Sequence, residues 1–179
     1  MEERKKLALF ERIVTPHAGA AYNLARWLMR NDQDAEDVVQ EASIRAFRAL
    51  DGYNGGDSRA WLLAIVRNTS YTHLHRNRSH DFTVALDDSI TDIPAATPGP
   101  EALLLKRADR ESLLRVLEGL PAEYREVVVL RDMEDLSYKE IAAIAGLPIG
   151  TVMSRLARAR RRLQQVLSEQ MGKELQIEL

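Results

Sequence analysis

Between Leu136 and Leu163 the chain reads LSYKEIAAIAGLPIGTVMSRLARARRRL, and Thr151, Ser154, Arg155, Arg158 and Arg162 recur in it at helical spacing. Hydroxyls and guanidiniums gathered on one helix face are donors suited to phosphate oxygens and base edges. No Asp or Glu lies between Glu140 and Glu169, whereas that interval holds Arg155, Arg158, Arg160, Arg161 and Arg162. Such a local asymmetry attracts a polyanion even though the whole chain carries a net charge of −2.

A second constellation lies upstream. From Ser58 to His80 there is again no acid, and Arg59, Trp61, Arg67, Asn68, Tyr71, His73, His75, Arg76 and Arg78 fall in this window, with Tyr53 just before it. Rings interleaved with cations offer a flat surface to an unstacked base and positive charge to its phosphate. Trp61, with Leu62, Ile65 and Val66 beside it, also reads as a core residue. His73 and His75 are two apart and share no helical face, so no metal site is expected. A third group, Asp34, Asp37, Gln40 and Glu41, steps along one face of DAEDVVQEASIRAFRAL, opposite Ala35, Val39, Ala42, Ala46 and Leu50. Glu41 can pair with Arg45 one turn on, so on these residues alone a solvated structural face is the better account of the acids.

The elements that must hold these groups are legible as well. Ser137 followed by Glu140 is a capping box, Gly146 stands where a left-handed C-cap is needed, and Pro148 cannot continue the first helix. A second helix starting near Ile149 or Thr151 has Val152, Leu156, Ala159 and Leu163 on its buried face. Together these make a helix-turn-helix. The glycine-rich turn Gly52–Gly56 leads into the helix that begins near Ser58, and Pro121 opens another in which Leu120, Val127, Val128 and Leu130 are core. Tyr22, Leu24, Ala25, Trp27, Leu28 and Met29 mark one more packed helix.

Whole-chain numbers bound the rest. With 179 residues and 45% apolar content, the chain can bury one ordinary core or two small ones. It has no cysteine, which removes disulfides and thiolate metal sites. The charged N-terminus lacks a signal-peptide core, and nothing approaches the roughly 20 apolar residues of a membrane span, so a soluble cytoplasmic protein without membrane insertion is expected. Helical periodicity is lost between His80 and Pro100, where three of the six prolines and four aspartates occur without a Lys or Arg. The expected architecture is therefore all-α, with two small helical domains, 1–80 and 101–179, joined by a flexible acidic linker, 81–100. That linker could lie across a basic DNA-binding face, occupy a positive channel on a partner, or serve only as a tether.

Three motifs, DAEDVVQEASIRAFRAL, GDSRAWLLAIVRNTSYTHL and LPAEYREVVVLRDMEDLSYKEIAAIAGLPIGTVMSRLARARRRL, occur in this order over about two thirds of the chain. In them the chain resembles a bacterial RNA polymerase sigma factor of the extracytoplasmic-function (ECF) class, the minimal form with only region 2 and region 4. The resemblance implies that residues 1–80 dock on core polymerase, recognise the −10 element and melt it, and that 101–179 recognise the −35 element. It implies that Asp34, Asp37, Gln40 and Glu41 meet the clamp coiled coil of the largest subunit, with the polymerase flap as a further contact. It also implies that Ala49, Tyr53, Asn54, Gly55, Gly56, Asp57, Ser58, Arg59, Trp61 and Asn68 serve the −10 element and its flipped base. Thr151, Ser154, Arg155, Arg158 and Arg162 would face the −35 duplex in the major groove. Promoter DNA, core polymerase and an anti-sigma factor are the partners the resemblance implies, with no cofactor.

Two positions depart from the family pattern. Position 153, often Lys or Arg in the family, is Met153 here, an apolar group suited to a thymine methyl. The glycine turn is about a residue shorter than in some members. Two other classes compete with the initiation factor. A stand-alone helix-turn-helix regulator of LuxR type would bind duplex DNA without polymerase, but nothing in the first half looks like a receiver or ligand domain. An enzyme acting on nucleic acid would need a metal cluster, a phosphate-binding glycine loop or a nucleophile and base, and none is found.

Overall fold

The structure, a computed structural model, describes residues 3–80 and 110–177, with side chains at 3–77 and 114–168. The expected linker, 81–100, and the side chain of Arg78 lie outside the described residues. Every regular element among the described residues is helical, as expected for an all-α chain.

The first lobe comprises α1 (Glu3–Val14), α2 (Ala18–Met29), α3 (Asp32–Ala49) and α4 (Ser58–His80), with 3-10 turns at Thr15–His17 and Leu50–Gly52. Only two residues separate α2 from α3, and each has its own task. Arg30 closes α2 in the left-handed conformation, φ 67°, with its N–H donating to the Arg26 carbonyl, and Asn31 then caps α3 by accepting from the Asp34 N–H at 2.8 Å. Leu24, Ala25 and Leu28 of α2 pack with Ala35, Val38, Ala42 and Ala46 of α3 and with Leu62, Leu63 and Val66 of α4. Small residues along α3 let its neighbours approach closely. Tyr22 departs from the packed stripe expected of α2: it is 37% exposed, its hydroxyl reaching Asp32 at 3.4 Å.

The second lobe comprises α5 (Arg110–Glu118), α6 (Ala122–Val128), α7 (Tyr138–Ala145) and α8 (Ile149–Ile177). Beyond α6 the chain makes a π-helical turn, Val129–Met133, that the Glu134 N–H closes on the Val129 carbonyl at 3.0 Å; Asp135 follows at φ 52°. The capping box at Ser137 and Glu140 then starts α7, and Gly146 ends it at φ 67°. The Ser137 hydroxyl and N–H hold the Glu140 carboxyl below the usual carboxylate range. α7 and α8 meet at 102°, the angle of a helix-turn-helix. Val152, Leu156, Ala159 and Leu163 are all buried, as their spacing requires, and α8 continues to Ile177.

The lobes touch, α2 packing against α6 and α4 against α7.

Gly146 needs its left-handed φ, whereas Gly150 has ordinary helical geometry and open space at the position of a Cβ. Gly146→Ala is therefore expected to lower stability by about 1 kcal/mol and Gly150→Ala to raise it by about 0.5 kcal/mol, both read as shifts in urea midpoint.

Candidate nucleic-acid interface

The first turns of α8 present Thr151, Ser154, Arg155 and Arg158, all half-buried, on the side away from the core. The Ser154 hydroxyl donates to the Thr151 carbonyl at 3.0 Å, so it offers mainly its acceptor lone pairs outward. Arg162 is exposed and, with Arg115, Val116, Gly119, Leu120 and Val166, lines a groove of about 280 Å³ between α5 and α8. Arg160 turns inward to Asp132 at 2.7 Å. The exposed apolar groups here are Ile149, 46%, and Met153, 51%, one turn apart. Ile149 was not among the sequence candidates; the signal was an apolar residue preceding the buried stripe.

In the first lobe the turn before α4 is built by its own residues. Gly55 and Gly56 take φ of 87° and 98°, which a side chain would strain, and the Tyr53 hydroxyl donates to the Gly56 carbonyl at 2.8 Å. The Tyr53 ring lies 5.0 Å from that of Trp61, which is half-buried and packs against the core. Asp57 accepts from the N–H groups of Arg59 and Ala60 at 2.9 and 3.2 Å, capping α4, and Ser58 meets His17 at 3.0 Å. Ala49, Asn54 and Asn68 are exposed. Asn68 stands about 15 Å along α4 from Ser58 by helical rise, so the turn and Asn68 mark two ends of this face.

The middle of that face is occupied by the second lobe. Glu126, 0% exposed, accepts from Arg67 Nε at 2.5 Å and from the Tyr71 hydroxyl at 2.9 Å. Burial, then the Glu126 charge, pushes the Tyr71 hydroxyl far above its usual pKa, so it stays a donor. Burial works against the charge of Arg67, but Glu126 outweighs it and raises its pKa. Glu134 accepts from Arg59 at 2.6 Å and from Asn23 at 2.6 Å. Next to Glu126, the guanidinium of Arg125 is 3% exposed and donates to the carbonyls of Glu118, Leu120 and, at 3.4 Å across the lobes, Leu28. Burial, with Arg30 nearby, pushes it down to about 10. Glu126, Glu134, Arg125 and Asn23 were missed as functional groups; the one signal was a charged pair inside the otherwise apolar run Tyr124–Leu130, which marks a helix buried on all sides.

On α3, Asp37 and Gln40 are exposed and Asp34 and Glu41 half-buried. Glu41 pairs with Arg45 at 2.5 Å, and Asp34 accepts from the Asn31 amide at 2.8 Å. Solvent-accessible pairs of this kind add little stability, so partner contacts can replace them at small cost.

Two family models match the chain: Sigma-70 region 2 over residues 13–80 and Sigma-70 region 4 over residues 110–163. The ECF RNA polymerase sigma-E factor of Escherichia coli K12 is 40% identical over 134 residues, which cover 71% of this chain and 70% of that protein. This chain belongs to the ECF sigma factor family. The ECF sigma factor SigE of Mycolicibacterium smegmatis is 38% identical over 160 residues, 89% of this sigma factor but only 62% of the relative's length. Among solved structures, the sigma factor RpoE with the anti-sigma factor NepR from Bartonella quintana matches at TM-score 0.68 and 30% identity, covering 89% of this chain and 96% of that one. CnrH with the cytosolic domain of CnrY matches at TM-score 0.53 and 27% identity, covering 89% and 88%. The region 2 match of the first lobe leaves the stand-alone LuxR-type reading without support. Among the described residues no single helix is long and apolar enough to cross a membrane.

Because Asp57 caps α4, Asp57→Ala is expected to cost about 1 kcal/mol of stability and Asp57→Asn to cost much less, measured by urea unfolding.

Proposed function

We propose that this sigma factor binds core RNA polymerase and directs it to promoters by melting a −10 element and reading a −35 element. The observation that carries this is the succession of region 2 and region 4 matches in one chain, joined to the acid-free faces of α4 and α8. In this reading, residues 1–80 and 101–179 act as separate functional domains, tethered through 81–100. Asp34, Asp37, Gln40 and Glu41 dock on the clamp coiled coil of the largest subunit, and the second lobe meets the flap. The turn Tyr53–Ser58 with Ala49, Arg59, Trp61 and Asn68 receives the flipped −10 base, at a stacking cost of a few kcal/mol that the pocket must replace. Thr151, Ser154, Arg155 and Arg158 face the −35 major groove, with Arg162 nearer phosphate and Met153 supplying an apolar contact to a thymine methyl. The complexes with NepR and CnrY formed by the similar structures support an anti-sigma factor as a further partner, acting in the cytoplasm. The protein would thus be an initiation factor rather than an enzyme.

The test is titration of labelled protein with core polymerase, followed by selection of genomic fragments with and without the core. Core-dependent recovery of fragments sharing two spaced elements is expected; DNA selection by the protein alone would reject the proposal. Asp37→Lys with Glu41→Lys should weaken core binding by about tenfold or more at unchanged circular dichroism. Arg155→Ala with Arg158→Ala should spare core binding and cost about 1–3 kcal/mol per base contact at −35-dependent promoters, measured by transcription in vitro.

A further inference from the structure

The outward side of α8 has two unlike flanks. At about 100° per residue, Ile149, Met153 and Ala157 fall along one flank within about 80° of the circumference, and Thr151, Arg155, Arg158 and Arg162 fall along the other within about 60°. Ile149, Met153 and Ala157 are all exposed, the first two at 46% and 51%. Arg160 belongs to the apolar flank by the same count, but its guanidinium is tied to Asp132 at 2.7 Å and leaves that flank apolar. Exposed apolar residues are ordinary when scattered singly. Two in successive turns, at the end of a helix-turn-helix second helix that meets base edges, stand where a groove presents its own apolar groups.

The apolar group that the major groove offers is the C5-methyl of thymine. Neither Ile149 nor Met153 has a hydrogen-bond donor or a strong acceptor in its side chain, so this flank detects the methyl and not the O4 acceptor beside it. Cytosine methylated at C5 carries the same methyl beside an N4 donor, and to this flank it is equivalent to thymine. Ile149 and Met153 are about 6 Å apart along the helix, against about 3.4 Å per base step, so their targets lie about one or two steps apart. We infer that Ile149 and Met153 read C5-methyl groups in the −35 duplex, and that methylating a cytosine at those positions strengthens recognition as a thymine does. This inference deepens the proposed −35 role of α8 and rests on it.

The test is a scan of the −35 element recovered with core polymerase, in which each thymine in turn is replaced by deoxyuridine and each cytosine by 5-methylcytosine. Either exchange changes one methyl and leaves every hydrogen-bonding group of the base in place. At one or two positions, holoenzyme binding is expected to fall about fourfold with deoxyuridine or to rise about fourfold with 5-methylcytosine, the worth of about one buried methyl. Met153→Ala should abolish the methyl effect at one position and Ile149→Ala at the neighbouring one; both side chains are exposed, so the fold is not at stake. The absence of any methyl-sensitive position, or a methyl effect that survives both substitutions at full size, would overturn the inference. Arg155→Ala with Arg158→Ala on the same duplexes tests the underlying role separately. Binding at wild-type strength would overturn the −35 role of α8 itself, whereas weakened binding without methyl sensitivity in the wild type overturns only the methyl assignment.

Discussion

A carboxylate with no exposed surface lies at the junction of the two lobes, and the rest of the arrangement is built around supplying its oxygens with donors. Removing an ion from water costs several kcal/mol unless its oxygens are matched, and breaking a buried pair by removing one partner costs on the order of 3–5 kcal/mol. Glu126 is matched by Arg67 and Tyr71, both of α4. Burial in turn keeps Tyr71 protonated, so both donors remain donors. These contacts tie α6 to α4, beside the packing of α6 on α2 and of α7 on α4. The chain beyond α6, through the π-helical turn, then places Glu134 against Arg59 and Asn23.

The same geometry gives the second lobe two electrostatic faces. Residues 101–179 hold 13 acids and 13 bases, a balance that conceals their separation. Glu126 of α6 and Glu134 after the following turn meet the first lobe, while Arg155 and Arg158 lie on α8 away from its buried stripe of Val152, Leu156, Ala159 and Leu163. A lobe divided in this way can neutralise one basic surface while presenting another to duplex DNA.

The helix-turn-helix was almost fully legible from the sequence because every one of its devices is local. A capping box spans four residues, a left-handed glycine one, and the stripe Val152, Leu156, Ala159, Leu163 repeats within a single helix. The structure adds Ile144 to the core and exposes Ile149 beside Met153. The first lobe was legible in its stripe on α3 and in the glycine turn, less so in Tyr22, whose place in an apolar pattern did not reveal that the packing stops short of it. Asp57 and Ser58, read as nucleic-acid contacts from the resemblance, also serve as a helix cap and a tie to His17, roles that need only neighbouring backbone or a side chain from α2's approach.

Sequence alone determined the helix-turn-helix with its caps, the stripe of α3, the two acid-free stretches and the family, since each is written in spacings of a few residues. Only the tertiary structure decided which of those cations are occupied. Arg67 and Glu126 are 59 positions apart and Arg59 and Glu134 are 75 apart, so no periodicity links them. Their pairing depends on how two separately legible lobes meet, and that is set by the cost of burying a charge without its partner.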